Sequence, residues 1–303
     1  MIPEFPLDVP SHDGQPNEPD DVFFGEIGEI GKLLSANTNL NLTRGFRRWT
    51  GKRIGMILVG LILGPLVGAI VAAVLHEGLG VKEETALAVG LGGFALVGAV
   101  LFGYWFRPWQ EATFVGEGGL AKVRRRDGKV QKTILCFADA AELRQRQIRQ
   151  YVNGVYSGTQ FFFDWLGEDG YSRFKINGVF RESARKPVPR ENGIHFASSA
   201  EAAWLHYRLP KVLEQVERGG TVRFNVGKGK WIDIGKGWVE FGLKKEPRRL
   251  EPADVKEISL QQGWLSVKPA QGGWGSTLKA SVGDIGDMKI FLALLENALN
   301  VKL

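Results

Sequence analysis

The 303-residue chain has a single cysteine, Cys136, and only four histidines, His12, His76, His195 and His206, scattered with no ligand spacing. One thiol excludes an intramolecular disulfide and any cysteine-based zinc or iron–sulfur site. GKGK at 227–230 lacks the eight-residue phosphate-loop form ending in Lys-Ser/Thr and reads as a hairpin turn. No Ser, His and acid set around a strained elbow is present. Residues 1–21 are acidic and proline-rich with no apolar centre, so a cleavable signal peptide is not expected. Helix-turn-helix, zinc-finger and RNA-recognition signatures are all missing, which disfavours nucleic acid as a partner. The expectation from these absences is a chain that is not an enzyme and carries no cofactor and no metal.

What the chain has is oil. Ile54–Leu75 and Ala86–Phe106 contain no charged residue, and neither offers a polar face. At roughly 1.5 Å per residue each run spans about 30 Å, the thickness of a bilayer's hydrocarbon core. The short link HEGLGVKEET at 76–85 allows only an antiparallel hairpin. Arg44, Arg47, Arg48, Lys52 and Arg53 precede the first run, and Arg107 and the 122–129 cluster follow the second. Basic residues at membrane ends mark the cytoplasmic side, so both termini are expected there. Tyr104, Trp105, Phe106 and Trp109 resemble an interfacial aromatic belt.

Small residues repeat at four-residue spacing: Gly60, Gly64, Gly68 and Ala72 on the first run, Ala95, Ala99 and Gly103 on the second. Such grooves let helix backbones approach closely, either within the hairpin or between chains. Pro65 lacks a backbone donor and is expected to bend the first helix.

Net charge is +6, yet residues 1–43 hold eight acids against Lys32 alone. The body is therefore strongly basic, a composition that suits anionic lipid headgroups at roughly 1 kcal/mol per nearby cation. Residues 1–21 are expected to be disordered alone. In 22–53, Phe23, Ile27, Ile30 and Leu34 fall at helical spacing, predicting an amphipathic helix over Val22–Leu34 ahead of the basic collar. The hairpin occupies 54–106.

Residues 111–303 read as a duplication, 111–219 and 220–303. Each half opens with a predicted strand pair, GGLAKVRRRDGKVQKTILCF at 118–137 and GKGWVEFGLKKEPRRLEP at 235–252. Each passes an Asp-centred step, FADAAEL at 137–143 and PADVKEI at 252–258. TQFFFDWL and YSRFKINGVF then match WLSVKP and STLKASV, and an amphipathic helix closes each half, the last with its stripe Met288, Phe291, Leu292, Leu295 and Leu299. This order is similar to tandem pleckstrin-homology-like domains of bacterial membrane proteins. The resemblance implies a bent antiparallel sheet capped by a C-terminal helix, twice, behind a two-helix transmembrane hairpin: a membrane-anchored α+β protein of the bacterial inner membrane. In that family the turn between the first two strands binds phosphoinositides, with a basic pattern that KVRRR loosely resembles.

The candidate contact residues are thus Lys122, Arg124, Arg125, Arg126 and Lys129, for an anionic phospholipid or a partner. Trp264 and Trp274, beside glycines near turns, are candidate interface aromatics. Asp284 and Asp287 read as a helix cap and a dipole-compensating charge. The favoured role is a membrane-anchored scaffold or accessory subunit that binds a protein partner or forms a homo-oligomer. An anionic-lipid adaptor is the alternative, and an enzyme or oligomeric transporter stands behind both.

Overall fold

The computed structural model describes the chain except for residues 1–3, 6–7, 26, 43–44, 47–48, 106–108, 127, 184–186, 228, 245, 272–275 and 302–303. The fold is mixed α+β with antiparallel sheets, built as one plan used twice. In the first unit β1 (Leu33–Thr38), β2 (Gln110–Gly116), β3 (Gly119–Arg126) and β4 (Lys129–Cys136) form a four-stranded sheet in that order. A single 3-10 turn, Phe137–Asp139, leads to a three-stranded sheet of β5 (Glu142–Val152), β6 (Val155–Leu166) and β7 (Ser172–Phe180).

The second unit repeats this with β8 (Val222–Asn225), β9 (Trp231–Gly235), β10 (Trp238–Gly242) and β11 (Arg248–Leu250). The turn Pro252–Asp254 follows, then β12 (Val255–Gln261), β13 (Trp264–Pro269) and β14 (Leu278–Ser281). The two Asp-centred steps fall at the same place in each unit, and a helix closes each, of 25 residues in the first and 12 in the second.

Between β1 and β2 the chain leaves the first unit. Helix α1 (Trp49–Ala73, containing Pro65) continues through a π-helical turn, Val74–Gly78; α2 (Glu83–Leu87) and a second π-helical stretch, Ala88–Gly93, lead into α3 (Phe94–Trp105). Two helical stretches, Ile57–Gly78 and Glu83–Val100, are long and apolar enough to cross a membrane. Their side chains are not a soluble core: Ile62, Leu66, Ile70 and Leu96 are each more than 60% exposed. The hairpin starts and ends at one sheet, because β1 before it pairs with β2 after it, Thr38 opposite Ala112.

The closing helices are α4 (Gly193–Glu217) and α5 (Met288–Leu299). Asn192 caps α4 by accepting from the Ile194 N–H. In α5, Met288, Phe291, Leu295 and Leu299 are buried along one face as the spacing predicts, with Leu292 half-buried. One hydrophobic core runs through both units, from Leu135 and Trp165 to Ile234 and Phe291. The units are therefore packed as one body.

The N-terminal part differs from the sequence expectation. No helix spans Val22–Leu34: Phe23–Phe24 is a short strand, Gly28–Ile30 a single 3-10 turn, and Leu33 begins β1. Gly25 (φ +109°) and Gly31 (φ +76°) take positive-φ conformations that interrupt a helix within this stretch. Residues 8–21, expected to be disordered, are folded against the first unit, with Ser11, His12 and Asp21 buried. Phe23, Phe24 and Ile30 close over Ala112, Phe114, Ala121 and Val123 on the outer face of the first sheet, making a second small core. The strand pairs expected to open each half are the third and fourth strands of each four-stranded sheet. The two strands before them were hidden, in the first unit because the apolar hairpin separates β1 from its partners.

Candidate functional site

The small-residue seam is used inside the hairpin. A Cβ on Gly60 would lie 2.6 Å from the Gly98 carbonyl oxygen; on Gly64 it would collide with the Phe94 carbonyl, and on Gly68 with the Gly90 carbonyl. The partners on the second helix are therefore Gly90, Ala95 and Gly98, with Ala72 buried beside Gly90 and Ala99 half-buried beside Gly60. Gly90 and Gly98 were not among the residues picked out by the four-residue spacing. Gly103 lies in α3, with its surroundings outside the described residues, as are those of Lys52, Arg53, Tyr104 and Trp105. Arg44, Arg47, Arg48, Phe106, Arg107 and Trp274 lie wholly outside them.

The basic cluster does not sit at a turn between first and second strands. It lies on β3 and at the β3–β4 turn, and strand alternation divides it between two faces. Lys122 and Arg124 face inward, where Glu111 of β2 takes both: Lys122 Nζ at 3.1 Å and Arg124 Nε at 2.8 Å. Burial pushes the Glu111 carboxyl up, but the Lys122 charge and the Arg124 hydrogen bond outweigh it and hold it below the usual range. Arg125 points to the outer face, where it donates to Gln110 Oε1 at 2.6 Å and stacks 4.8 Å over the Phe24 ring. Arg126 lies over the Trp109 ring at 5.9 Å, and Lys129, opposite it, is exposed. Because β2 and β3 form a hairpin, Arg125 ends up opposite Gln110, at the end of the sheet nearest the apolar helices.

Inside the first unit the two sheets enclose a cavity of about 610 Å³. Its wall is a set of cross-strand rows. The deepest, Ser35, Val115, Leu120 and Leu135, is largely apolar and joins the core. The next is polar: Asn37, Thr113, Lys122 and Thr133. The outermost carries Glu111 and Arg124. The opposite wall is Phe161, Phe174, Ile176 and Asn177, and the N-terminus of α4 at Asn192 and Gly193 closes one side.

Two buried titratable groups were missed by the sequence. His12 reaches around the edge of β1: Nδ1 lies 2.7 Å from Ser35 Oγ, Nε2 lies 3.0 Å from Thr113 Oγ1, and the ring stacks on Phe196. Ser35 Oγ continues to Ser199 Oγ of α4 at 2.7 Å. Burial pushes the imidazole down to about 3, so it is neutral at physiological pH. Through these contacts the ring ties the N-terminal segment to β1, β2 and α4.

Asp287 stands at the N-cap position of α5, as expected, but its side chain makes no capping hydrogen bond there. Its backbone is left-handed (φ 50°, ψ 44°), and its Oδ1 accepts from Leu143 N–H at 2.8 Å and from Trp204 Nε1–H at 2.7 Å, both in the first unit. Burial pushes its carboxyl up to about 6 against those two bonds. Arg146 with Asp284 and Glu142 with Asn225 complete this joint between the units.

Both units also expose apolar groups at one equivalent place. The β5–β6 hairpin turns at Asn153-Gly154 and the β12–β13 hairpin at Gln262-Gly263, each pair with positive φ, a two-residue turn that twisted strands favour. Beside the first turn Tyr151, Val152 and Val155 are about 60% exposed (59%, 61% and 64%); beside the second Trp264 is 51% exposed and Leu260 is also exposed. No group of three or more residues able to hold a metal occurs among the described residues. Compared with known proteins, the chain matches no family model and no curated relative.

Proposed function

We propose that this is a membrane-anchored, non-enzymatic scaffold or accessory subunit that binds a protein partner, or a second copy of itself, through its paired hairpin tips. The carrying observation is the repetition: two units, one rigid core, and an exposed aromatic with aliphatic neighbours at the same turn of each. Exposed aromatics of this kind favour interfaces. The apolar hairpin spans the bilayer in this reading, held by close glycine contacts. Both of its ends join one sheet, which supports placing the folded part on a single side, the cytoplasmic face of a bacterial inner membrane. The order of four strands, a 3-10 turn, three strands and a helix, repeated in register, supports the pleckstrin-homology-like reading.

The test is purification of the full chain in mild detergent, with mass measurement and identification of co-purifying proteins. A defined complex that weakens when Tyr151, Val155 and Trp264 are changed to Ser supports the proposal. A lone monomer with no companion, unaffected by these changes, sinks it. A second reading, an anionic-lipid adaptor, is favoured by Arg125, Arg126 and Lys129 at the hairpin end of the sheet. It requires that neutralising those three weaken retention of anionic lipid by the purified chain.

A further inference from the structure

The two four-stranded sheets share a register, so each sheet residue that lines the cavity of the first unit has a counterpart in the second. Asn37, Thr113 and Lys122 stand where the second unit has Phe224, Ile232 and Phe241, three residues buried in its core. Only the fourth position, Thr133 against Arg248, is polar in both, so the same fold fills its interior with apolar side chains in one copy and opens it beside a polar row with Lys122 in the other. Lys122 and Glu111 keep about a quarter of their side-chain exposure and Arg124 under half (27%, 27% and 44%), so placing them on this wall costs part of their hydration, which an apolar row would not incur. The second unit demonstrates that this plan does not need them.

The wall also leaves binding groups unspent. Glu111 engages Nζ of Lys122 and Nε of Arg124; among the described residues the terminal amino groups of Arg124, and the exposed Thr133 hydroxyl and Asn177 amide, have no protein partner and are open to a ligand. The helix terminus at Gly193 adds a partial positive charge to the same space. Two cations share one counter-anion on this wall, and the remaining rim carboxylate, Glu191, lies on the α4 side. The volume falls within the range that small-molecule sites occupy.

We propose that the cavity of the first unit binds a small, water-soluble organic oxyanion (a carboxylate or phosphate ester), gripped by Lys122 and Arg124, with Glu111 holding the two cations in place and competing for them. A soluble molecule is preferred to a lipid because the wall around the charged row is hydrogen-bonding rather than apolar. This site is separate from the hairpin tips and does not depend on a partner or on the membrane.

The experiment uses the full chain in mild detergent, following the thermal unfolding midpoint and calorimetric binding. The probes are succinate, citrate, glycerol 3-phosphate and inorganic phosphate at matched ionic strength, with dihexanoyl phosphatidylglycerol as the lipid arm. Saturable binding of at least one organic probe is expected. Arg124→Gln should weaken it about tenfold or more and Lys122→Met likewise, whereas Glu111→Gln should tighten it several-fold by releasing both cations. Lys256→Gln, an exposed lysine of the second unit, should leave it unchanged. A variant that merely damages the fold cannot produce that opposite sign at Glu111. No saturable binding beyond matched chloride, binding of the lipid alone, or affinities indifferent to Glu111 and Arg124 would each overturn the proposal.

Discussion

The two units are inside-out relatives. In the first, the outer face of the four-stranded sheet is small and apolar (Ala112, Phe114, Ala121, Val123) and is covered by the chain's own N-terminal segment, while its inner face carries a charged row. In the second, the inner face is apolar, and the outer face carries Trp231, Asp233, Trp238 and Glu240 in register with Arg223 and Arg249. The difference teaches that strand order and register are set by the inward contacts near the helix cap, which both units keep: Val115, Leu120 and Leu135 in one, Ile234, Val239 and Leu250 in the other. Away from that row the faces are free to diverge, and in the first unit they have done so on both sides.

The sharpest way to break this comparison is to strip the first unit's cover. Phe23 and Phe24 are fully buried, so truncating either to Ala should cost about 3–5 kcal/mol, with the loss confined to the first unit. Hydrogen exchange should rise over residues 9–38 and stay low in β9 and β10. The same truncation of Trp238, half-buried on the second unit's open face, should cost only about 1–2 kcal/mol. Equal costs would mean that the two outer faces are not different in kind.

The joint between the units gives the next effect. Asp287→Ala leaves the Leu143 N–H and the Trp204 indole N–H without an acceptor and should cost about 2–4 kcal/mol. Asp287→Asn keeps an acceptor and suits the left-handed backbone, so it should cost little at neutral pH. The sign of the pH dependence separates this joint from the N-terminal clamp. Asp287 has a raised folded pKa, so its contribution is fully present below about pH 4 and is lost as pH rises through about 6, on the order of 3 kcal/mol in all. His12 has a lowered one: its contribution is intact above about pH 6.5 and is lost as pH falls toward 3. Urea titrations from pH 4 to 7.5 should therefore show the Asn variant losing the alkaline-side decline. Exchange over residues 9–24 should rise on acidification in both proteins. An unchanged profile for Asp287→Asn would remove the buried carboxylate from the account.

Much of the doubled plan was legible. The pairing of FADAAEL with PADVKEI survives as the two 3-10 turns, because a turn leading into a strand is a local feature. Of the strands after it, β6, β7, β13 and β14 and the apolar stripe of α5 follow from periodicity, whereas β5 and β12 were not assigned. What was not legible depends on residues distant in sequence. Leu33–Thr38 becomes a strand only because Ala112–Gly116 lies beside it after 72 residues of excursion (Asn39 and Glu111 hydrogen-bond each other across that gap). The three glycines at 25, 28 and 31 each weaken the helix predicted there by about 1 kcal/mol, and they outweigh its apolar spacing. The division of the basic cluster could have been read from its own alternation, since Val123 is apolar and must face opposite to Lys122 and Arg124. Asp287 gave no signal, because its partners are 144 and 83 residues away.

The smallest effect tests whether the arginines over aromatic rings play the same part in both units. In the second unit Arg249 lies 3.9 Å over the Trp238 ring and Arg223 4.3 Å over Trp231, each on a half-exposed indole whose other face rests on glycine backbone, Gly235 and Gly242. Such a contact at an exposed site is worth about 0.5–1 kcal/mol, so Arg249→Gln should change stability by no more than that and leave exchange in the first unit unaltered. In the first unit Arg125 covers Phe24, a ring with no exposure at all, and also holds Gln110. Arg125→Gln should therefore cost somewhat more and should raise exchange at residues 22–24 in particular. If both substitutions cost the same and neither loosens the N-terminal segment, Arg125 is a surface ornament like Arg249, and the cover over the first unit is held by Phe23 and Phe24 alone.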